Sequence, residues 1–352
     1  MRTPRTPARP ATRTLRTPGD RLSLRYAPRA ATVCVLLAAG ALAVGLVALT
    51  TGDFPLTVSE VGAWLVGRGD GGTDFVVGTL RLPRLLTALL VGAGLGVSGG
   101  LFQSLTRNPL GSPDIVGFTT GSATGALVAI LLLGGDPFAV AAGAVLGGLG
   151  TAAVVYLLAV RGGVQGTRLI LMGIGVSAIL LSVNAYLITR ASWQDALAAQ
   201  SWLIGTLNGR RWEHVVPLAL ACAVLLPVAL YQGRRLALLE MGDDAAHALG
   251  VPVQRTRLVL VAVGVGLAAV ATAAAGPIGF VALAGPQIAR RLTRSTGAAL
   301  LPAALTGALL LAGCDLATQR LAPSLPVGIA TGAVGGCYLA WLLAHSWRKA
   351  NR

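Results

Sequence analysis

Nine long runs without an Asp, Glu, Lys or Arg, at 31–50, 85–106, 115–135, 137–160, 169–189, 215–233, 258–289, 295–314 and 321–347, decide what this chain can fold into. Each is long enough to cross a hydrocarbon core of roughly 30 Å as a helix. Of its 352 residues, 54% are hydrophobic and only 12% charged; about a quarter charged is usual for a soluble domain. The expectation is an all-α polytopic membrane protein. The net charge of +15 does not point to nucleic acid, because the basic residues sit at span ends and in the N-terminal arm, where a membrane protein places them.

The seventh run fixes the topology. Its 32 residues are too many for one upright helix and too few for two of full length, and Gly276-Pro277 lies inside it, where proline breaks a helix. If it crosses twice, the second time as a short helix, and the N-terminal arm is inside, 21 basic residues face the cytoplasm and 7 face out. A single crossing leaves 16 against 12. The charge bias therefore predicts about ten transmembrane helices with both termini cytoplasmic. Residues 1–30, with eight arginines and no apolar periodicity, read as a disordered basic cytoplasmic arm. Residues 31–347 are the transmembrane domain and 348–352 a cytoplasmic tail. Most of the 47 glycines read as small-residue faces that let helices approach closely in lipid.

Composition also narrows the energy source. An ion-coupled carrier needs ionisable groups at mid-membrane, yet of 13 acidic residues only Asp315 lies close to a span core. Cys34, Cys222, Cys314 and Cys337 lie in apolar runs without metal spacing, and His214, His247 and His345 are isolated, so no metal or redox centre is expected. A permease driven by a separate ATPase needs none of these groups. Residues 234–257 suit it: the loop is cytoplasmic by the charge count and carries an acidic cluster in Glu240-Met241-Gly242-Asp243-Asp244-Ala245-Ala246 and then Leu249-Gly250. It reads as a short helix, a glycine break and a second short helix. A solvated loop and a docking element both fit that pattern.

Five segments then carry a family resemblance. Arg81-Leu82-Pro83-Arg84 leads through Gly92-Ala93-Gly94-Leu95, Ser98-Gly99 and Gln103 to Arg107-Asn108-Pro109-Leu110-Gly111-Ser112-Pro113-Asp114. Ser201–Gly209, Met241–Gly250, Gly276–Leu292 and Leu325–Ile329 follow in order and at matching spacing. Together, from about residue 55 to 345, they resemble the iron–siderophore and cobalamin importer permeases, the FecCD family. Gln287, where many members have His, Gly336-Cys337-Tyr338 in place of Gly-x-Pro, and the Gly-Ser-Pro-Asp-Ile form at 111–115 look like the branch that moves ferric catecholates such as enterobactin.

The resemblance implies a permease of the cytoplasmic membrane with a second permease subunit (a paralogue, giving a heterodimer, or a second copy), two cytosolic ATPase subunits, an external siderophore-binding protein and a ferric siderophore as cargo. It implies no catalytic residue and no cofactor bound by this subunit. It assigns 240–250 to ATPase coupling and Asn108, Pro109 and Leu110 to a cytoplasmic gate, where proline stops the helix and asparagine turns it. Gly173, Ser177, Leu180 and Asn184 share one face of span five, the span that lines the pathway in the family; the other reading has Ser177 bonding its own backbone and Asn184 a neighbouring helix. Arg81, Arg84 and Arg320 would meet carboxylates of the binding protein, with membrane anchoring as the other reading. An ion-coupled secondary transporter is the alternative for the whole chain.

Overall fold

The computed structural model describes residues 13–16, 23–160, 166–323 and 325–350. Within the arm, strands β1 (Arg13–Arg16) and β2 (Ser23–Tyr26) pair antiparallel, Arg13 opposite Tyr26. The arm was expected to lack regular structure; its remaining residues, 1–12 and 17–22, lie outside the described ones, as do Arg161 and residues 351–352 of the tail.

Beyond the arm the described chain is helical. The elements are α1 (Pro28–Thr50), α2 (Val58–Leu65), α3 (Gly71–Thr73), α4 (Leu82–Leu105), α5 (Phe118–Leu132), α6 (Pro137–Val160), α7 (Gly166–Arg190) and α8 (Trp193–Leu203). They continue as α9 (Trp212–Tyr231), α10 (Gly233–Glu240), α11 (Asp243–Ala248), α12 (Val253–Ala275), α13 (Val281–Thr293), α14 (Leu300–Leu321) and α15 (Val327–Ala350). Seven of these are long and apolar enough to cross a membrane, with α3 and α4 counted as one continuous helix, and two shorter apolar helices, in α5 and α15, join them. The short α13 makes ten.

The seventh run divides as its Gly-Pro pair requires. Helix α12 ends at Gly276, whose φ of +75° suits a residue without Cβ, and α13 starts after the left-handed Phe280. Contacts at both ends show that α13 turns back: its end meets α4 near Gln103, while Ala275 accepts a bond from Thr206 N–H at the opposite end. Arg29 Nε donates to Leu292 O, and Arg291 lies over the Trp341 ring of α15. The start of α1 and the later part of α15 therefore share the end of the bundle that holds α10 and α11.

Among the long spans, three form the inside. The most apolar stretches of α4, α12 and α14 are 78%, 67% and 61% buried, against 17–28% for α1, α6, α7 and α9. Close backbone approach makes that interior possible. A Cβ on Gly92 would stand 2.3 Å from the Gly307 carbonyl, and one on Gly125 only 1.9 Å from that of Gly143; these are the α4–α14 and α5–α6 crossings. Ser98 Oγ ties α4 to α12 by donating to Gly264 O at 2.6 Å.

Two span limits differ from expectation for a physical reason. The second span was expected from residue 85, but the helix is continuous from Gly71 to Leu105. A π-helical segment, Asp74–Arg81, passes Leu82 N–H to Val77 O just before Pro83, and the wider turn accommodates a proline that lacks its own N–H. The eighth uncharged run stops at Cys314, yet α14 continues to Leu321, because Asp315 is neutralised inside the bundle.

Candidate functional site

The loop between the sixth and seventh spans folds as helix, glycine, helix. Leu236 and Leu239 seat α10 against the bundle, and Ala246 does the same for α11. Between them Gly242 adopts φ +121°, ψ 154°, a conformation open essentially to glycine alone. Gly250 closes the element at φ +79°. Met241 and Leu249 are left 68% and 60% exposed. Two large apolar side chains projecting from a firmly seated turn, beside Asp244 and His247 in water, make a surface suited to a protein partner.

Asp243, first residue of α11, is held by two arginines. Arg257 Nη2 bonds both its carboxylate oxygens, at 2.8 and 3.1 Å, and Arg107 Nη2 reaches Oδ1 at 3.2 Å. Arg107 immediately precedes the expected gate turn. There Asn108 Oδ1 accepts the Leu110 N–H at 2.9 Å and Asn108 O accepts the Gly111 N–H, leaving Pro109 and Leu110 exposed. From the other side Gln287 Nε2 donates to Pro109 O at 2.7 Å. Gln103 Nε2 donates to Leu283 O and its Oε1 accepts from Arg290, a guanidinium that also feels Glu240. The 240–250 element and the turn at 108–111 thus lie at one end, joined by hydrogen bonds through α4, α12 and α13. Beyond the turn, burial raises the Asp114 carboxyl to about 6, with the Thr119 hydroxyl opposing the shift.

Other expected site residues fall differently. The α7 face of Gly173, Ser177 and Asn184 is turned inward: a Cβ on Gly173 would stand 2.4 Å from Val116 O, Ser177 Oγ bonds Gly173 O at 2.8 Å, and Asn184 is buried. Ser177 takes the alternative role, a bond to its own helix, Asn184 Oδ1 has no hydrogen-bond partner among the described residues, and Leu180 is half-buried. Outward-facing α7 residues include Leu171, Ile174, Ile179 and Leu181. The three arginines are engaged within the chain. Arg84 forks onto Asp315, Nη2 to Oδ1 at 2.7 Å and Nε to Oδ2 at 2.9 Å, and Gln319 completes that carboxylate. Arg81 donates to Leu49 O and Phe54 O, and the exposed Arg320 to Thr51 Oγ1.

Sequence reasoning quoted Arg107 and Gln287 inside motifs without assigning either a role, and did not single out Arg257. The available signal was a pair of opposite charges on two neighbouring loops of the same side, Arg107 before Asn-Pro and Asp243 after Gly242.

A membrane bundle of about ten helices, with an exposed helix–glycine–helix element bonded to the corner at 107–111, has the architecture of a transport permease. The chain belongs to the FecCD transport family, whose model matches residues 40–345. It is 48% identical over 318 residues, 90% of this chain and 96% of the relative, to the ferric enterobactin transport system permease protein FepG of Escherichia coli. It is 39% identical over 270 residues to the cobalamin import system permease protein BtuC of Halobacterium salinarum, covering 76% of this chain and 73% of that one. The fold matches a metal-chelate type ABC transporter solved in an inward-facing conformation, with a TM-score of 0.77 at 29% identity over 90% of this chain and 99% of that one.

Proposed function

We propose that the chain is the membrane-spanning subunit of an ATP-driven importer that carries a ferric catecholate siderophore, of the enterobactin kind, across the cytoplasmic membrane. The observation that carries the reading is the helix–glycine–helix element at 240–250 with its apolar tips Met241 and Leu249 exposed at the end of the bundle that holds the gate turn. Identity of 48% over 96% of a ferric enterobactin permease supports the cargo class. The element docks on a cytosolic ATPase subunit, so both termini are cytoplasmic, and the working assembly contains a second permease, paralogous or identical, two ATPase subunits and an external binding protein. Closure of the ATPases moves 240–250, and Asn108, Pro109 and Leu110 open or close the exit. The outward face of α7 around Ile174 and Ile179 lines the route or the subunit seam. Arg320 keeps the docking role on the external side, since its guanidinium is exposed, whereas the fork of Arg84 is already filled by Asp315.

The ion-coupled alternative loses its one candidate group, because Asp315 is paired with Arg84. The test of the cargo is competition: vesicles carrying the assembled complex are given radiolabelled ferric enterobactin with an excess of unlabelled ferric catecholate, hydroxamate or citrate. Suppression by the catecholate alone is expected. Suppression by hydroxamate or citrate instead overturns the cargo assignment.

A further inference from the structure

Arg107 stands where the backbone favours a different residue. Helix α4 closes with two reverse bonds, Asn108 N–H to Gln103 O at 3.1 Å and Arg107 N–H to Ser104 O at 3.2 Å. This pattern places one residue in the left-handed region, and that residue is usually glycine. Here it is Arg107, at φ +49°. A side chain in this region is strained, because its Cβ crowds the following carbonyl, and strain of this kind points to a role for the side chain that imposes it.

The side chain reaches Asp243. The two arms of that contact differ in kind. Arg257 bonds Asp243 in a bifurcated way and its side chain is 8% exposed; the Arg107 side chain is 51% exposed and its bond is longer, 3.2 Å. The first arm is a fixed anchor between α11 and α12. The second is solvent-screened and weak, so a small displacement breaks it. On the far side of the turn, Gln287 holds Pro109 O to α13. The gate turn is thus suspended between one half-buried neutral bond and one exposed ionic bond that ends on the lever.

We propose that Arg107 is a releasable latch: Asp243, anchored through Arg257, holds the turn 108–110 through Arg107 in one transport state and lets it go when the lever moves. This rests on the reading of 240–250 as the ATPase-coupling element. Arg107 acts through the turn and is a positioning residue. A lever tied rigidly to the gate at every point could only drag it, whereas a weak contact lets the turn settle in two arrangements, and coupling between sites requires such a two-state element.

The decisive variant is Arg107→Gly, which relieves the backbone strain and removes the latch together. The complex is assembled in lipid vesicles with its second permease, ATPase subunits and binding protein. The latch predicts that siderophore uptake falls about tenfold, within the usual span of coupling between sites, while ATP hydrolysis no longer rises when loaded binding protein is added. Arg107→Lys retains part of the uptake, and Asp243→Asn with Arg107→Gln is no worse than the more damaging single change. Spin labels at Leu110→Cys and Leu249→Cys, with the four native cysteines replaced, report the gate–lever distance. Nucleotide should shift it in the parent, and in Arg107→Gln it should be broad in every nucleotide state. Wild-type uptake by Arg107→Gly, or a nucleotide-shifted distance that survives Arg107→Gln, overturns the latch and leaves the coupling element standing. Normal ATPase co-purification and normal uptake in Gly242→Val overturn the coupling element itself, and the latch with it.

Discussion

Gly242 gives the sharpest quantitative expectation. Its φ of +121° and ψ of 154° lie in a region that L-residues essentially do not occupy, and holding one there costs on the order of 1–3 kcal/mol. Nothing lies within 4 Å of a Cβ added at this position, so Gly242→Ala introduces no collision and the whole effect is conformational. The relief available is rotation of α11 against α10, which pulls Asp243 away from Arg257. The lever then occupies its docking geometry roughly 5- to 150-fold less often. Gly250→Asn is the control, because φ +79° is close to the left-handed region that asparagine visits readily. The assay is the initial rate of ATP-dependent uptake by the reconstituted complex, with the ATPase recovered on purification measured alongside. Gly242→Ala should lower uptake by at least about fivefold, with Gly250→Asn far milder. Equal uptake by both variants would refute the argument that backbone geometry at Gly242 sets the lever.

Two further expectations concern the bundle and the loop. Asp315→Ala strands the Arg84 guanidinium, which is 24% exposed, and should cost about 2 kcal/mol, below the 3–5 kcal/mol of a fully buried broken pair. Arg84→Met with Asp315→Leu should recover most of that loss in denaturation of the purified protein, and a double variant less stable than Asp315→Ala contradicts the pairing. The Asp114 carboxyl, raised to about 6, binds its proton more tightly in the folded state than in the unfolded one, so stability rises as pH falls from about 6 towards 4, the ordinary carboxyl value. Asp114→Asn should flatten melting temperature against pH across that window; an unchanged slope places the titration elsewhere.

Much of this architecture was legible because lipid imposes strict rules. Uncharged runs gave the spans, and the break at Gly276-Pro277 with the charge count gave the tenth. What the sequence hid were contacts that cancel a charge. Asp315 reads as the end of a span, and Arg84 as a free cation, until the two are seen paired. The face of α7 is a related case: spacing places Gly173, Ser177 and Asn184 together, but does not say that Gly173 packs on the 116–117 corner. The helix–glycine–helix form of 240–250 was legible because Gly242 and Gly250 punctuate it. Its links to the turn at 108–111 were not, because Arg107, Arg257 and Asp243 are distant in the chain and meet only through the order of the spans.

The central claim is that ATP hydrolysis by a partner, and no ion gradient, drives this permease. The direct measurement is uptake of radiolabelled ferric enterobactin by vesicles holding the full complex, with ATP enclosed, while ionophores abolish the proton and sodium gradients. The account predicts uptake that persists under the ionophores and disappears when the ATPase carries a change that blocks hydrolysis. Uptake that collapses with the gradients and continues with the inactive ATPase would contradict it.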